Sequence, residues 1–112
     1  MGTTGQRCTS TRRLIVHRSV MHELIELLKQ AFDQIRIGDP REQETIIGPL
    51  IDAAAVAQYQ ATIQRAQELG AKVVYGGQRI DRPGLYVEAC LIMDVEPEWD
   101  CVQHETFAPI VF

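Results

Sequence analysis

Long hydrophobic runs are missing from this sequence: none approaches the ~20 residues that a membrane-spanning helix needs. The first residues are polar and rich in Gly and Thr, unlike the apolar core of a secretory leader. No GxGxxG and no P-loop occurs, so a main phosphate-binding turn is not expected in this chain. Its three cysteines, Cys8, Cys90 and Cys101, form neither a CxxC pair nor an even framework. That pattern suits reduced thiols in a cytoplasmic compartment. His17, His22 and His104 stand at no metal-ligand spacing from those cysteines, so no metal is expected. Basic residues form no polybasic tract, and the formal charge of -4 argues against nucleic acid as a partner. Acidic residues are absent before Glu23, whereas Arg7, Arg12, Arg13 and Arg18 all fall in that stretch.

What is present reads as one α/β unit. With 112 residues, 46% of them hydrophobic, the chain can bury a modest core as a single domain. Leu14-Ile15-Val16 predicts a short buried strand. Ser19 suits an N-cap, and apolar residues at Met21, Leu24, Ile25, Leu28, Phe32 and Ile35 predict a helix over 20–35. Gly38-Asp39-Pro40 ends it, because proline cannot continue a helix. Asp52 is placed to cap a second helix over 53–69, with Val56, Tyr59, Ile63 and Ala66 inward and Gly70 just past its end. Strands are expected over 72–75 and 86–92, joined through Gly76-Gly77 and the polar turn Asp81-Arg82-Pro83-Gly84. The chain ends on the apolar run Ile110-Val111-Phe112, expected to be the first half of a buried strand. Together these predict an α/β fold with a largely buried sheet, cut from a larger protein.

The chemistry concentrates at two places. Gly5-Gln6-Arg7-Cys8-Thr9 sets a thiol in a turn beside an arginine, and nearby positive charge favours the reactive thiolate. A lone cysteine is more often a small buried hydrophobe, but these neighbours are not those of an apolar core. Cys90, inside Ala89-Cys90-Leu91-Ile92, reads as core, and Cys101 has no evident role. Arg7 is either a solvated side chain or a bidentate anchor for a carboxylate on a molecule attacked by Cys8. Glu105-Thr106-Phe107-Ala108-Pro109 is either an ordinary loop or a binding segment. In the second case its carboxylate accepts from sugar hydroxyls and its ring packs on a flat heterocycle. His104 is a conceivable base for Cys8, although nothing in the sequence brings the two together.

Taken as an ordered set, these segments resemble the catalytic domain of the aldehyde dehydrogenase superfamily. Gly5-Gln6-Arg7-Cys8 looks like the family's nucleophile motif. Gly38-Asp39-Pro40 and Gly48-Pro49-Leu50 match its Gly-(Asn/Asp)-Pro and Gly-Pro elements, and Glu105-Thr106-Phe107-Ala108-Pro109 matches its Glu-x-Phe-x-Pro element. The resemblance covers essentially the whole chain. Gln6-Arg7-Cys8-Thr9, Val73-Val74-Tyr75-Gly76-Gly77, Asp81-Arg82-Pro83-Gly84 and Tyr86-Val87-Glu88 are similar to the antiquitin-like branch, the α-aminoadipic semialdehyde dehydrogenases. Ala89 stands where that branch usually has proline. Thr3-Thr4 stands where relatives often carry a small residue or an asparagine pair, a departure expected to matter little.

The resemblance implies a partial catalytic domain of that family over residues 1–112: a Rossmann-like three-layer sheet with flanking helices, truncated at both ends and without the cofactor-binding domain. It implies oxidation of an aldehyde, a semialdehyde in this branch, with NAD or NADP. Cys8 would form a thiohemiacetal and then a thioester, its backbone amide helping to hold the oxyanion. Glu105 would bind the nicotinamide-side ribose, Phe107 would position the nicotinamide ring, and Arg7 would contact the polar end of the substrate. The family's general-base glutamate, oxyanion-hole asparagine and dinucleotide-binding domain belong upstream of the Cys motif. The isolated chain is therefore expected to be inactive and to bind the cofactor weakly, as a piece of a homo-oligomeric enzyme without nucleic-acid or membrane partners. Two alternatives stay open. One is a non-catalytic α/β module that pairs through an exposed sheet edge, and the other is a hydrolase using Cys8 with His104.

Overall fold

In the computed structural model, which describes residues 2–112, a mixed three-stranded sheet lies between two helices. The strands are β1 (Lys72–Gly76), β2 (Cys90–Met93) and β3 (Ile110–Val111), in the order β1-β2-β3. β1 runs antiparallel to β2, and β3 runs parallel to it. The helices are α1 (Arg18–Asp33), α2 (Ala53–Glu68) and the short α3 (Asp100–Gln103). Among the described residues no helix is long and apolar enough to cross a membrane.

Strand alternation sends successive side chains to opposite faces, and that builds the three layers. Cys90, Ile92 and Ile110 pack with Val56, Tyr59, Ile63 and Ala66 of α2. Ala89, Leu91 and Val111 pack on the other face with Phe32 of α1 and Ile47. The register slips between Val73 and Tyr75, and both Val74 and Tyr75 join the α1-side cluster. Tyr59 is fully buried, and its hydroxyl donates to the Glu88 carbonyl at 2.8 Å.

α2 forms as the periodicity predicts. The Asp52 carboxylate accepts from the Ala55 N–H at 2.7 Å, and Gly70, at φ +105°, closes the far end as the Ala71 N–H reaches back to the Ala66 carbonyl. α1 starts two residues before the expected position. Its cap is His17, not Ser19: His17 Nδ1 accepts from the Ser19 N–H at 3.3 Å. It also stops two residues short of Ile35. α1 covers its face of the sheet less fully, since only Phe32 on it is buried and an apolar groove of about 240 Å³ opens beside Met21, Leu24 and Ile25.

Three further expectations need correction. Leu14-Ile15-Val16 is not a buried strand: Leu14 and Ile15 are exposed. The backbone there still runs extended beside Phe112, whose N–H donates to the Arg12 carbonyl and whose carbonyl accepts from the Leu14 N–H, each at 2.8 Å. This segment therefore flanks the sheet beyond β3 with Leu14 and Ile15 exposed and Val16 half-buried. The strand expected over 86–92 begins only at Cys90. Residues 78–80 and 86–88 instead form a loose ladder around the Arg79–Val87 bridge. α3 was not foreseen at all.

Candidate functional site

Cys8 is carried by an unusual entry. Gly2–Gly5 form a kinked turn in which Thr3 (φ 55°), Thr4 (φ 57°) and Gly5 (φ +70°) are all left-handed. Only glycine adopts that region freely, and a β-branched residue there is strained. The strain is held by packing: Thr4 is buried and its Oγ1 donates to the Gly48 carbonyl at 3.1 Å. Gln6 makes a two-sided clamp, donating to the Pro49 carbonyl at 3.3 Å and accepting from the Ile51 N–H at 2.9 Å. Arg7 to Ser10 then close a turn through the Ser10 N–H and the Arg7 carbonyl at 3.0 Å, with Cys8 exposed at its crest.

The second wall is the segment before β3. Pro109 accepts the Cys90 N–H at 2.8 Å, and buried Thr106 shares a 3.1 Å hydroxyl contact with Thr62 of α2. Gly5 passes this wall so closely that a Cβ there would meet the Ala108 carbonyl oxygen at 2.3 Å. Gly48 in turn lies against Pro40. The four segments singled out in the sequence, around Cys8, Pro40, Pro49 and Glu105, thus form one continuous chain of contacts.

Between the walls lies a cleft of about 330 Å³ lined by Cys8, Ser10, Arg12, Arg13, His104 and Glu105, among others. Glu105 is half exposed, with Oε1 3.2 Å from Arg12 Nη2. Phe107 is exposed and lies under the same guanidinium, 5.0 Å from ring centroid to Cζ. His104 does reach the cleft that holds Cys8. Its Nδ1 stands 2.9 Å from the Asp100 carbonyl, to which it can only donate. Arg7 is exposed beside Cys8 but lines a separate depression with Thr3 and Thr9, so the structure does not bring its side chain into the cleft. Arg13 lines the cleft instead. The other two thiols are core groups. Burial, reinforced by nearby Glu88, pushes Cys90 up to about 12, and burial also raises Cys101. Among the described residues no three His, Cys, Asp or Glu side chains gather as a metal site.

Residue chemistry alone makes this a cleft with one exposed thiol and one anchored carboxylate, with the Phe107 ring held beside it under Arg12. The sequence marks Arg12 only as one of four arginines near Cys8 and gives it no role of its own, since its partners at Glu105 and Thr106 lie far along the chain and only the fold brings them near.

The aldehyde dehydrogenase family model matches residues 1–112. α-Aminoadipic semialdehyde dehydrogenase of Bos taurus is 42% identical over 112 residues, covering 100% of this chain and 21% of the relative. A putative aldehyde dehydrogenase family 7 member A1 homolog of Caenorhabditis elegans is 44% identical over 114 residues, covering 100% and 22%. The fold superposes on betaine aldehyde dehydrogenase of Staphylococcus aureus, solved in complex with NAD+, with a TM-score of 0.91 at 28% identity, covering 96% of this chain and 22% of that one. An aldehyde dehydrogenase of Bacillus cereus, also an NAD+ complex, gives 0.90 at 29%, with coverage of 96% and 22%. The chain spans about a fifth of the length of the curated relatives it matches. Its ordered motifs, the cleft they build and these likenesses agree: the chain belongs to the aldehyde dehydrogenase family.

Proposed function

We propose that this chain is part of the catalytic domain of an enzyme that oxidises an aldehyde, in particular a semialdehyde with an acidic end, to the carboxylic acid with NAD or NADP. The observation that carries the reading is the cleft in which the exposed Cys8 thiol faces the same space as the Glu105 carboxylate. Cys8 sulfur attacks the aldehyde carbon, a C–S bond forms, and the carbonyl electron pair moves to oxygen, where the Cys8 backbone N–H is the proposed donor. A bound nicotinamide dinucleotide supplies the acceptor for the hydride that leaves this carbon. Loss of that hydride re-forms the C=O bond as a thioester; water adds to it, the C–S bond breaks, and a proton from that water returns to the Cys8 sulfur as the acid is released.

The residues present fit the nicotinamide end of such a cofactor. Glu105 is half exposed, and among the described residues no hydrogen bond occupies its Oε2, so a ribose hydroxyl has an acceptor. Phe107 is exposed, with Arg12 over one face of its ring. Arg13, inside the cleft, is the first proposed contact for the anionic end of the substrate, and Arg7, in its separate depression beside Cys8, is the second. The chain offers no glycine-rich phosphate turn, so weak cofactor binding and no turnover are proposed for the chain by itself, with the cofactor-binding domain outside residues 1–112. The whole enzyme is proposed to be a cytoplasmic homo-oligomer.

The test is an adduct measurement. A 13C-carbonyl semialdehyde is added to the chain and to Cys8→Ala, and the thiohemiacetal carbon is read by NMR. An adduct that vanishes in Cys8→Ala supports the reading, while a native Cys8 that never adds an aldehyde sinks it. NADH formation by the chain alone would overturn only the proposed inactivity.

A second reading, a non-catalytic module, draws on the exposed Leu14 and Ile15 of the extended segment that flanks β3. It requires a concentration-dependent dimer, read by sedimentation, that dissociates on Ile15→Lys.

A further inference from the structure

We infer that Arg12 is a positioning residue whose guanidinium holds the Cys8 turn and the Glu105–Phe107 segment in one rigid frame. The inference deepens the reading above and rests on it for the roles of Cys8, Glu105 and Phe107.

The argument starts from what a guanidinium offers: five N–H donors in a planar fork that keeps its charge at every accessible pH. Arg12 uses that fork in both directions. Toward the nucleophile, Nη1 donates to the Ser10 carbonyl at 2.8 Å and the Arg7 carbonyl at 3.2 Å. Nη2 donates to the Gly5 and Arg7 carbonyls, each at 3.1 Å. Toward the other wall, Nε donates to the Thr106 carbonyl at 3.2 Å, Nη2 pairs with Glu105 Oε1 at 3.2 Å, and the cation covers the Phe107 ring. The carbonyls of Gly5, Arg7 and Ser10 bracket Cys8 in sequence, so one side chain sets the shape of the loop that carries the thiol.

A solvated arginine does not look like this. The Arg12 side chain is only 15% exposed, and among the described residues it is the sole hydrogen-bond donor to the Gly5 and Ser10 carbonyls. Glu105 and Phe107, in contrast, are open to water and have rotamer freedom to lose. Arg12 removes that freedom before any ligand arrives, which is how a preorganised site gains affinity and rate. Lysine cannot replace it fully: an ammonium is a point charge able to pair with Glu105 but not to span three carbonyls and a fourth across the cleft.

The experiment uses the full chain, with Arg12→Gln, Arg12→Lys and Glu105→Gln variants. It reads amide exchange at Gln6 and Ser10 on one wall and at Ala108 on the other, Phe107 ring shifts, and the rate of Cys8 adduct formation with the labelled semialdehyde. Tyr59 in α2 serves as the internal reference. Arg12→Gln is expected to speed exchange on both walls by about tenfold, to move the Phe107 ring signals and to slow the adduct, with Tyr59 unchanged. Arg12→Lys is expected to restore the Phe107 signals and Ala108 but not Gln6 and Ser10. Glu105→Gln should loosen Ala108 alone. Loosening of only one wall in Arg12→Gln, or equal loosening at Tyr59, overturns the inference. If Arg12→Gln does not fold, the split between Arg12→Lys and Glu105→Gln decides. The exchange and ring readouts need no aldehyde, so their failure is distinct from a Cys8 that fails to add one.

Discussion

Gly5 and Ala108 meet backbone to backbone, 103 positions apart in the chain, with no room for a side chain: a Cβ on Gly5 would stand 2.3 Å from the Ala108 carbonyl oxygen. Gly5 also lies at φ +70°, where any other residue costs roughly 1–2 kcal/mol. Strain and overlap act together, so Gly5→Ala is expected to destabilise the chain by at least about 2 kcal/mol in urea unfolding. The Cys8 turn should also shift away from the Glu105 wall. A Gly5→Ala chain with wild-type stability and unchanged Cys8 alkylation would contradict the close approach.

The left-handed Thr3 changes the weight of a sequence departure. Thr3-Thr4, where relatives often carry a small residue or an asparagine pair, is a departure of little expected weight, yet Thr3 is exposed at φ 55° with nothing buried to justify the strain. Asparagine tolerates that region far better. Thr3→Asn should therefore raise the thermal midpoint, by about 1 kcal/mol of stability. A lower midpoint would mean that the turn is not left-handed in solution.

Deleting one oxygen in the core tests the α2 layer. Tyr59→Phe leaves the ring packed but strips the Glu88 carbonyl of its partner at 2.8 Å. The expected loss is about 1–2 kcal/mol, with the fold retained. A neutral result would show that the carbonyl finds water instead.

The alkaline limb of stability has a defined sign. Cys90 titrates at about 12 in the fold, against an ordinary 9.0, because burial first and Glu88 second disfavour the thiolate. Below pH 9 both folded and unfolded chains keep the proton, and its contribution is complete. Between 9 and 12 the unfolded chain releases a proton that the native state retains, so stability falls as pH rises. Cys90→Ala should start less stable because of its cavity, yet flatten that limb by up to about 1.4 kcal/mol per pH unit. Equal slopes in the two chains would refute the assignment.

The thiols should also separate by reagent access. Cys8 is exposed, while Cys90 and Cys101 are buried. Brief iodoacetamide treatment should give one adduct by mass on the native chain, at Cys8, and three in denaturant. Early labelling at Cys90 would contradict the layered core.

How far the fold could be read beforehand depended on how local its causes were. α2 announced itself through Asp52, the inward set Val56, Tyr59, Ile63 and Ala66, and Gly70, all acting within a few residues. Leu14-Ile15-Val16 misled because apolar composition marks a strand-like backbone but not which side is covered. Tyr86 to Ala89 had strand composition, yet past the left-handed Gly76 and Gly77 the pairing loosens to the Arg79–Val87 bridge and the two backbone bonds that flank it. α3 is one turn long, and Trp99 caps it without a side-chain bond, so there was no signal to find. For the site, the segments were legible one by one. Their assembly was not, since Arg12, Gln6 and Gly5 act on backbone atoms brought close only by the finished fold.

Gln6 shows what that assembly permits. Its single amide group greets residues 49 to 51 as a neighbouring strand would, one donor to a carbonyl and one acceptor to an N–H. It addresses main-chain atoms only, so the side chain at position 51 is free to change without disturbing the handshake. The burden of specificity falls wholly on position 6: glutamate would lose the donor, methionine both halves, and each would unmoor the thiol-bearing turn from a loop whose own sequence had not changed.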